Sequence, residues 1–357
     1  MSTASLRGRK RRAASPDDNS SSTRRVATAS STAGYNRNFQ QHLVKHGIYP
    51  KGFEYSGGRK FPKPNNWEEI IERLTQPRRS LSPSRFPEQE FERFDEVDTE
   101  AYRKKNILIE VIKTIDGDTG DATCVGGDYS FANLSPLTDG LLVPARPDHF
   151  LGARPEGLKA EIRKDLKHKI VPTTSDHRPI APNFFLQVKG LDGSLAVAFR
   201  QACYNGALGA RGMHCLQSYK QEPIYDGNAY TITSTYHGGM LKLYTTHLTA
   251  PTPEHGGGPK YIMTQLKALA MTGDSEAFRK GATAYRNARD WAKEQRDKFI
   301  RSANERHAQS QSEVLSTSDE VASTPITQDD SDTNIFSFPP LPMYNCTVYI
   351  CAVRPDV

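Results

Sequence analysis

Two apolar stretches of this sequence end in polar side chains with complementary chemistry. The first runs from Leu141 to Ala145 and is soon followed by Asp148, and the second runs from Asn183 to Lys189 and contains Gln187. Gln187 and Lys189 are two positions apart, so in a strand their side chains lie on one face. If the two stretches are neighbouring strands, a carboxylate, an amide oxygen and an amine meet at one place. Such a group suits a hard divalent cation and the water that it activates.

The same residues match a nuclease pattern. Pro147-Asp148, followed by Gln187-Val188-Lys189, resembles the PD-(D/E)xK nuclease signature. Residues 185–219 are similar to fungal proteins described as PD-(D/E)xK nuclease-like, and the similarity extends over about residues 95–300. The resemblance implies that Asp148 and Gln187 bind Mg²⁺ together with the backbone carbonyl of Val188. It also implies that Lys189 orients the water that attacks a phosphodiester of nucleic acid.

Gln187 departs from the pattern, which has a carboxylate at this position. A neutral amide still offers an oxygen, but the site then has one formal negative charge instead of two, which weakens cation binding. Two functions stay open: a Mg²⁺-dependent nuclease with a weakened metal site, and a catalytically inactive nuclease-fold interaction module that acts in the nucleus. The motif also fits a purely structural interpretation, in which Asp148 caps a turn and Lys189 is an exposed strand-end residue. Other chemistries lack their motifs, since the chain has no phosphate loop, GxSxG elbow or HExxH.

The resemblance implies accessory residues on the neighbouring helices. In such nucleases a helix before the catalytic strands often supplies a further acidic residue, and Glu100 and Glu110 are the candidates. Both lie in a segment, from residue 98 to Asp116, whose apolar residues recur at helical spacing. Gln201, on a helix that Ser194 is expected to cap, resembles a polar residue placed beside the metal site. Each of the three accessory candidates also fits an ordinary surface position.

A basic helix is expected shortly after Asp148. Pro155 marks its start, and apolar residues spaced by four predict one buried stripe along residues 158–170. We expect its outer side to flank the site and to contact the nucleic-acid backbone, although a solvated helix face is the alternative. The predicted nucleic-acid-binding residues are Lys159, Arg163, Lys164 and Lys167.

The N-terminal tail carries most of the excess charge. The chain of 357 residues has a net charge of +6. Residues 1–25 account for most of this, with seven arginines and lysines against two aspartates, so the body is nearly neutral and unlike a strongly basic nucleic-acid binder. The tail composition predicts disorder, and its basic clusters resemble a two-part nuclear import signal or, alternatively, a solvated basic tail. The proposed signal residues are Arg7, Arg9, Lys10, Arg11, Arg12, Arg24 and Arg25.

Cysteine usage and hydropathy indicate the compartment. Five scattered cysteines and the lack of an N-terminal signal sequence predict a reducing compartment, nuclear or otherwise cytoplasmic, and not secretion. The mean hydropathy is −0.65, and no apolar run approaches the roughly 20 residues of a membrane span. The expected partners are therefore nucleic acid and a nuclear import receptor, without a membrane, and the oligomeric state stays open.

The predicted architecture is α/β, with a central mixed β-sheet flanked by helices, a restriction-endonuclease-like core and disordered tails at both ends. We divide the chain into a disordered basic tail (1–34), an extended arm with a short helix (35–94), a nuclease-like domain (95–304) and a mostly disordered C-terminal tail (305–357). Within the domain the patterns predict a β-hairpin across residues 229–248 and helices over residues 261–271 and 275–304.

Overall fold

The centre of the molecule is a mixed β-sheet. The computed structural model describes residues 35–54, 58, 60–251 and 258–321, with side chains as far as residue 312. In this part of the chain seven strands form one sheet, in the spatial order β1-β7-β6-β5-β4-β3-β2. The β4–β5 and β1–β7 pairs are parallel, and the other pairs are antiparallel. The strands are β1 Ile48–Tyr49, β2 Val125–Gly126, β3 His149–Ala153, β4 Ile180–Val188, β5 Ala229–His237, β6 Met240–Thr249 and β7 Lys260–Ala270.

Helices cover both faces of the sheet, so the predicted α/β class is confirmed. The helices are α1 Arg37–Lys45, α2 Trp67–Thr75, α3 Glu88–Glu100, α4 Lys104–Asn106, α5 Ile112–Asp116, α6 Ala160–Asp165, α7 Lys167–Ile170, α8 Leu195–Gln217 and α9 Ser275–Val321. One face packs against α1 and α8, and the other packs against α2, α3, α5 and α9. The chain divides into two compact units, residues 1–310 and 311–357, and of the second only the end of α9 is described.

Strand β4 lies in the middle of this three-layer arrangement, and all nine of its residues are buried. Phe184 and Leu186 pack towards α9, whereas Phe185 packs towards α8. Since alternate residues of a strand face opposite sides, Gln187 shares the α8 side with Phe185. A strand buried on both faces reads as a continuous apolar run, which is why the prediction over residues 183–189 located it correctly.

The segment 35–94 belongs to the core instead of lying over it as an extended arm. It contributes α1, α2, α3 and the edge strand β1, in which Ile48 pairs with Tyr261 of β7. Leu43, Ile70 and Phe94 are each almost completely buried. The short helix predicted in this segment is present as α2.

Two other predictions were wrong. Residues 141–145 form no strand, and the first long strand, β3, begins only at His149. Pro144 and Pro147 lack the N–H that a strand ladder needs, which explains the delay. Residues 261–271 form β7 instead of a helix, because pairing with β6 along the whole strand overrides the helix propensity of alanine, leucine and lysine. The predicted hairpin is confirmed, and so is a helix from Ser275. This helix continues beyond the predicted end at residue 304 to Val321, so the first part of the predicted disordered tail is helical.

The predicted basic helix after Pro155 is broken into three pieces. A 3₁₀ turn, Pro155–Gly157, precedes the short helices α6 and α7. The apolar stripe is nevertheless correct, since Leu158, Ile162 and Ile170 are buried in a cluster with Met213. Met213 lies in the C-terminal half of α8, so the basic segment packs at that end of the helix.

Candidate functional site

Asp148, Gln187 and Lys189 meet where β3 begins and β4 ends. The antiparallel register pairs His149 with Leu186, so the next position outward sets Asp148 opposite Gln187. Residues directly opposite each other in an antiparallel pair have neighbouring side chains on one face. Lys189 follows immediately after β4 and continues its pairing with β5 through its own backbone N–H. The structure therefore brings together the three residues that the sequence proposed.

The carboxylate of Asp148 is buried and fully engaged. Its Oδ2 accepts the backbone N–H of Val188 at 2.8 Å and lies 3.9 Å from Lys189 Nζ. Its Oδ1 forms a close ion pair with the ammonium group of Lys104. With both lysines protonated, the cluster has more positive than negative charge, which opposes the binding of a cation.

Gln187 contributes a buried amide beside this carboxylate. Its Nε2 donates a long hydrogen bond of 3.4 Å to the backbone carbonyl of Arg146. Its Oε1 is buried and has no hydrogen-bond partner among the described residues. A buried acceptor without a donor is costly, so an unpaired amide oxygen here marks a place where a ligand atom would be stabilised.

Lys189 is held by the helix that follows it. Its ammonium group donates to Gln201 Oε1 at 2.7 Å, so the predicted accessory residue Gln201 does contact the site. The N-terminus of α8 is fixed by Ser194, whose side chain accepts the N–H of Val197 as expected for a cap. Burial lowers the pKa of Lys189. The negative charge of Asp148 opposes this decrease in pKa, and the positive charge of Lys104 adds to it.

Tyr35 closes the site from the side of α1. Burial raises the pKa of its phenol to about 12, and a hydrogen bond with Gln201 acts in the opposite direction. The charge of Asp148 adds to the increase, which places the phenol within electrostatic reach of the carboxylate. The sequence analysis did not identify Tyr35, because nothing in its local pattern links it to residues more than a hundred positions away.

Lys104 is the other site residue that the sequence analysis missed. The predicted continuous helix is interrupted, because α3 ends at Glu100 and α4 starts at Lys104, and this break directs Lys104 to Asp148. The backbone at Gly190 also lies close to the backbone before Lys104, which allows Lys104 to reach Asp148. A Cβ atom on residue 190 would lie 2.6 Å from the backbone oxygen of Tyr102, so a side chain there would push the segment away.

The two acidic residues predicted near the site do not lie beside Asp148, where Lys104 lies. Glu100 and Glu110 are both exposed to solvent. The helical segment between them carries a π-helical turn, Ile107–Val111, which shifts the register from which any single-helix prediction was made. The segment that was expected to bring a carboxylate to the site thus brings the ammonium group of Lys104.

An open groove of about 660 Å³ runs beside Asp148. Its walls include Tyr129, with Arg178 stacked on the ring at 3.9 Å from the ring centroid. Gly127 brings the neighbouring chain close, since a Cβ there would lie 2.3 Å from the backbone oxygen of Asp148. The groove therefore combines a buried carboxylate with an exposed guanidinium and an aromatic face, which suits a phosphate backbone and its bases.

The predicted basic surface lies apart from the end of the site that Lys189 and Gln201 form. It packs near Met213, whereas Gln201 at the site is twelve residues earlier on the same helix, or about 18 Å along the axis. Lys164 and Lys167 are exposed, but Arg163 is partly occupied in bonding the backbone carbonyls of Pro155 and Leu158. A nucleic acid would have to extend along α8 to reach both surfaces. The binding role of Lys159, Arg163, Lys164 and Lys167 stays a prediction.

The proposed import signal lies outside the described residues, as does most of the predicted C-terminal tail. None of the described helices is long and apolar enough to cross a membrane. No protein-family model, curated protein or solved structure matches this chain.

Proposed function

We propose that this protein is a PD-(D/E)xK nuclease-like protein that binds nucleic acid in the groove beside Asp148 and hydrolyses phosphodiesters there with Mg²⁺, at a weakened metal site. The observation that supports this best is the convergence of Asp148, Gln187 and Lys189 at the end of β4, with Gln201 holding the lysine. Perturbed and partly buried ionisable groups beside a groove are typical of functional sites.

The donor set fits a weakly held hard cation. Mg²⁺ takes oxygen ligands, and the carboxylate of Asp148 and the unpaired Oε1 of Gln187 are oxygen donors on the same face of the sheet. The bound ion would supply charge stabilisation and a more acidic water. One carboxylate gives less attraction than two, and Lys104 must leave Asp148 Oδ1 before that oxygen is free. Both facts predict low affinity.

The lysine has a role of its own in the proposed reaction. Lys189 is buried and bonded to Gln201, so its ammonium group has one orientation, towards the carboxylate of Asp148. A fixed donor at this place can hold an attacking water and stabilise the negative charge that develops on a phosphate oxygen. The lowered pKa of Lys189 also makes proton exchange with that water easier.

A second candidate function is supported by the Lys104–Asp148 ion pair. A carboxylate neutralised by a lysine resembles a structural charge pair more than a metal ligand. In this alternative the site is catalytically silent, and the chain is an interaction module of the nucleus that keeps the groove for binding. Gln187 in place of a carboxylate supports the same view.

Plasmid nicking with and without Mg²⁺ separates the two candidates. We expect slow Mg²⁺-dependent nicking by the wild type, faster nicking by Gln187→Glu because a ligand charge is added, and none by Gln187→Glu combined with Lys189→Ala. The double variant should still bind Mg²⁺, since the lysine acts on the water and not on the ion. Nicking that is absent from the wild type and from Gln187→Glu, in correctly folded protein, would leave only the silent module.

Nucleic-acid binding tests the groove against the basic segment. Arg178→Ala should weaken binding of an oligonucleotide and reduce the dependence of affinity on salt concentration, because one phosphate contact is lost. The matched comparison is Lys164→Glu with Lys167→Glu, which alters exposed charges on the other surface. A loss of binding in the second variant alone would assign recognition to the basic segment.

We propose nuclear localisation from the tail sequence. Residues 1–30 contain all the basic residues of the predicted signal, and few of their side chains are apolar. Fusion of these residues to a neutral reporter should concentrate it in nuclei, and replacement of Lys10, Arg11 and Arg12 by alanine should abolish the effect. An even distribution of the unmodified fusion would reject the import signal.

A further inference from the structure

A second group of ligand-type side chains lies between α1 and the loop that leads to Asp148. His42, His46 and Asp139 each present one nitrogen or oxygen, and these atoms all lie within 4.8 Å of one another. His42 Nε2 is 2.7 Å from Asp139 Oδ1, and His46 Nε2 is 3.9 Å from Asp139 Oδ2. The group is distinct from the nuclease-like site, and no part of the proposed function uses it.

The sequence and the helix explain how the two imidazoles come together. His42 and His46 are four residues apart on α1, so they lie on one face of the helix, and their ring centroids are 4.5 Å apart. Paired histidines at this helical spacing are a common way to bind zinc. The third member comes from a distant loop, because Asp139 is 97 positions from His42.

The groups behind the ligands already fix their orientation. His46 Nδ1 is 2.9 Å from the backbone carbonyl of His42, so Nδ1 carries the proton and donates to this carbonyl. In that tautomer Nε2 has a lone pair, which faces Asp139 and can bind a metal. The backbone N–H of Leu141 donates to Asp139 Oδ1 at 3.2 Å, which leaves Oδ2 free to face His46. In metal sites the ligating imidazoles and carboxylates are usually oriented by hydrogen bonds of this kind.

We propose that His42, His46 and Asp139 bind one Zn²⁺ ion, which clamps α1 to the loop that leads to Asp148. Zinc–ligand bonds of about 2.0–2.2 Å in a tetrahedron separate neighbouring ligand atoms by ~3.3 Å. The observed separations of 2.7 Å and 3.9 Å lie on either side of this value, so small side-chain rotations complete the site. Two imidazoles and one carboxylate leave the fourth position for water, since all three side chains are partly exposed.

Zinc uptake by the full chain tests this assignment. After incubation with zinc chloride and gel filtration, the wild type should retain one zinc per chain. Loss of a group that only orients a metal ligand lowers metal affinity roughly 10–100-fold. His46→Gln and Asp139→Asn each remove a ligand itself, so each should lower the zinc affinity by more than this. His168→Gln is the matched control, because His168 also has Nδ1 within 2.9 Å of a backbone carbonyl but is outside the cluster. It should bind zinc like the wild type.

A measurement on unaltered protein guards against variants that do not fold. X-ray absorption at the zinc edge should show two imidazoles and no sulfur in the wild type. Cobalt in place of zinc should give the visible bands of a tetrahedral site without a thiolate charge-transfer band. Three results would overturn the proposal: no zinc retained by the wild type, equal zinc uptake by all variants, or sulfur around the metal. In the first case the group is only a His–Asp pair.

Discussion

Two buried aspartates, on opposite faces of the sheet, show how differently similar charges can be used. Asp116 lies near the α9 face, with its Oδ1 3.4 Å from Arg289 Nη1 and its Oδ2 3.0 Å from His149 Nε2. Asp148, next to His149 in the sequence, lies near the α8 face with Lys104 and Lys189. Each is a carboxylate with two basic neighbours, and each is almost completely buried.

The difference lies in what else the basic residues bind. Arg289 donates to the backbone carbonyls of Asp116 and Asp118, and Arg286 donates to those of residues 114 and 115, so the guanidinium groups close the end of α5. Lys104 is two-fifths exposed and ends at the carboxylate. Burial of charge is therefore no sign of function by itself. A cluster whose cations also satisfy backbone carbonyls is structural, whereas one with a partly exposed cation and an unpaired acceptor can exchange its partners.

The largest expected effect is on the Asp116 cluster. Arg289→Met removes a buried cation and leaves Asp116 and two helix-end carbonyls without their donor, which should lower the free energy of unfolding by about 3–5 kcal/mol. Urea unfolding measures the change. Arg301→Met, at an exposed position of the same helix, is the control and should change stability by less than about 0.5 kcal/mol. Equal losses in both variants would remove the contrast between the two clusters.

The next effect concerns the unpaired amide. Gln187→Glu places a second negative charge beside Asp148 and loses the donor to the carbonyl of Arg146, so we expect a loss of about 1–3 kcal/mol in the absence of metal. Mg²⁺ should restore part of this stability, because an ion that binds only the folded state stabilises it by mass action. Thermal unfolding with and without Mg²⁺ tests the expectation. Gln265→Glu, on strand β7, should show no response to Mg²⁺.

A smaller effect is expected for the exposed lysine. Lys104→Met should lower stability by only about 1 kcal/mol, since a partly exposed ion pair contributes little. The same variant frees Asp148 Oδ1 and removes a repelling charge, so calorimetric titration should show tighter Mg²⁺ binding than in the wild type. Lys105→Met, a neighbouring exposed lysine, serves as the control. Unchanged Mg²⁺ affinity in Lys104→Met would mean that Asp148 is not a metal ligand.

The smallest effect is a pH dependence confined to the lysine cluster. The pKa of Lys189 is lowered from 10.5 by burial, so the folded protein releases this proton at a lower pH than the unfolded chain does. Stability from this residue should therefore rise as the pH increases through the folded pKa towards 10.5. The difference in unfolding free energy between wild type and Lys189→Met isolates the contribution.

Local sequence patterns located the parts of the site that lie on regular strands. The positions of Gln187 and Lys189 at the end of a strand were predicted from the sequence, because the buried strand β4 appears there as a continuous apolar run. Lys104 was missed because its direction depends on the break between α3 and α4 and on the close approach of Gly190, neither of which has a local signature. The interval of four between His42 and His46 was readable in the sequence, but their partner Asp139 was not.

The same limit explains the two wrong assignments. Residues 141–145 have the apolar composition of a strand, but Pro144 within them and Pro147 after them lack the N–H that a strand ladder needs, and the chain stays irregular until His149. Residues 261–271 have the composition of a helix, yet the exposed edge of β6 offers backbone partners along the whole segment. Competition between local propensity and a distant partner is decided by the tertiary structure.

The position of the long helix α9 near the end of the chain affects how the protein folds during its synthesis on the ribosome. Its Tyr285 and Trp291 cover the sheet face that contains Phe184, and its Asp290 pairs with Arg78 over 212 positions. Until α9 has been synthesised, that apolar face is covered only in part, by α2, α3 and α5, and the carbonyls of residues 114, 115, 116 and 118 lack their arginine donors. Between the synthesis of β4 and that of α9 the nascent chain therefore carries an incompletely covered apolar surface. Distant contacts of this kind make folding slow and favour the help of chaperones.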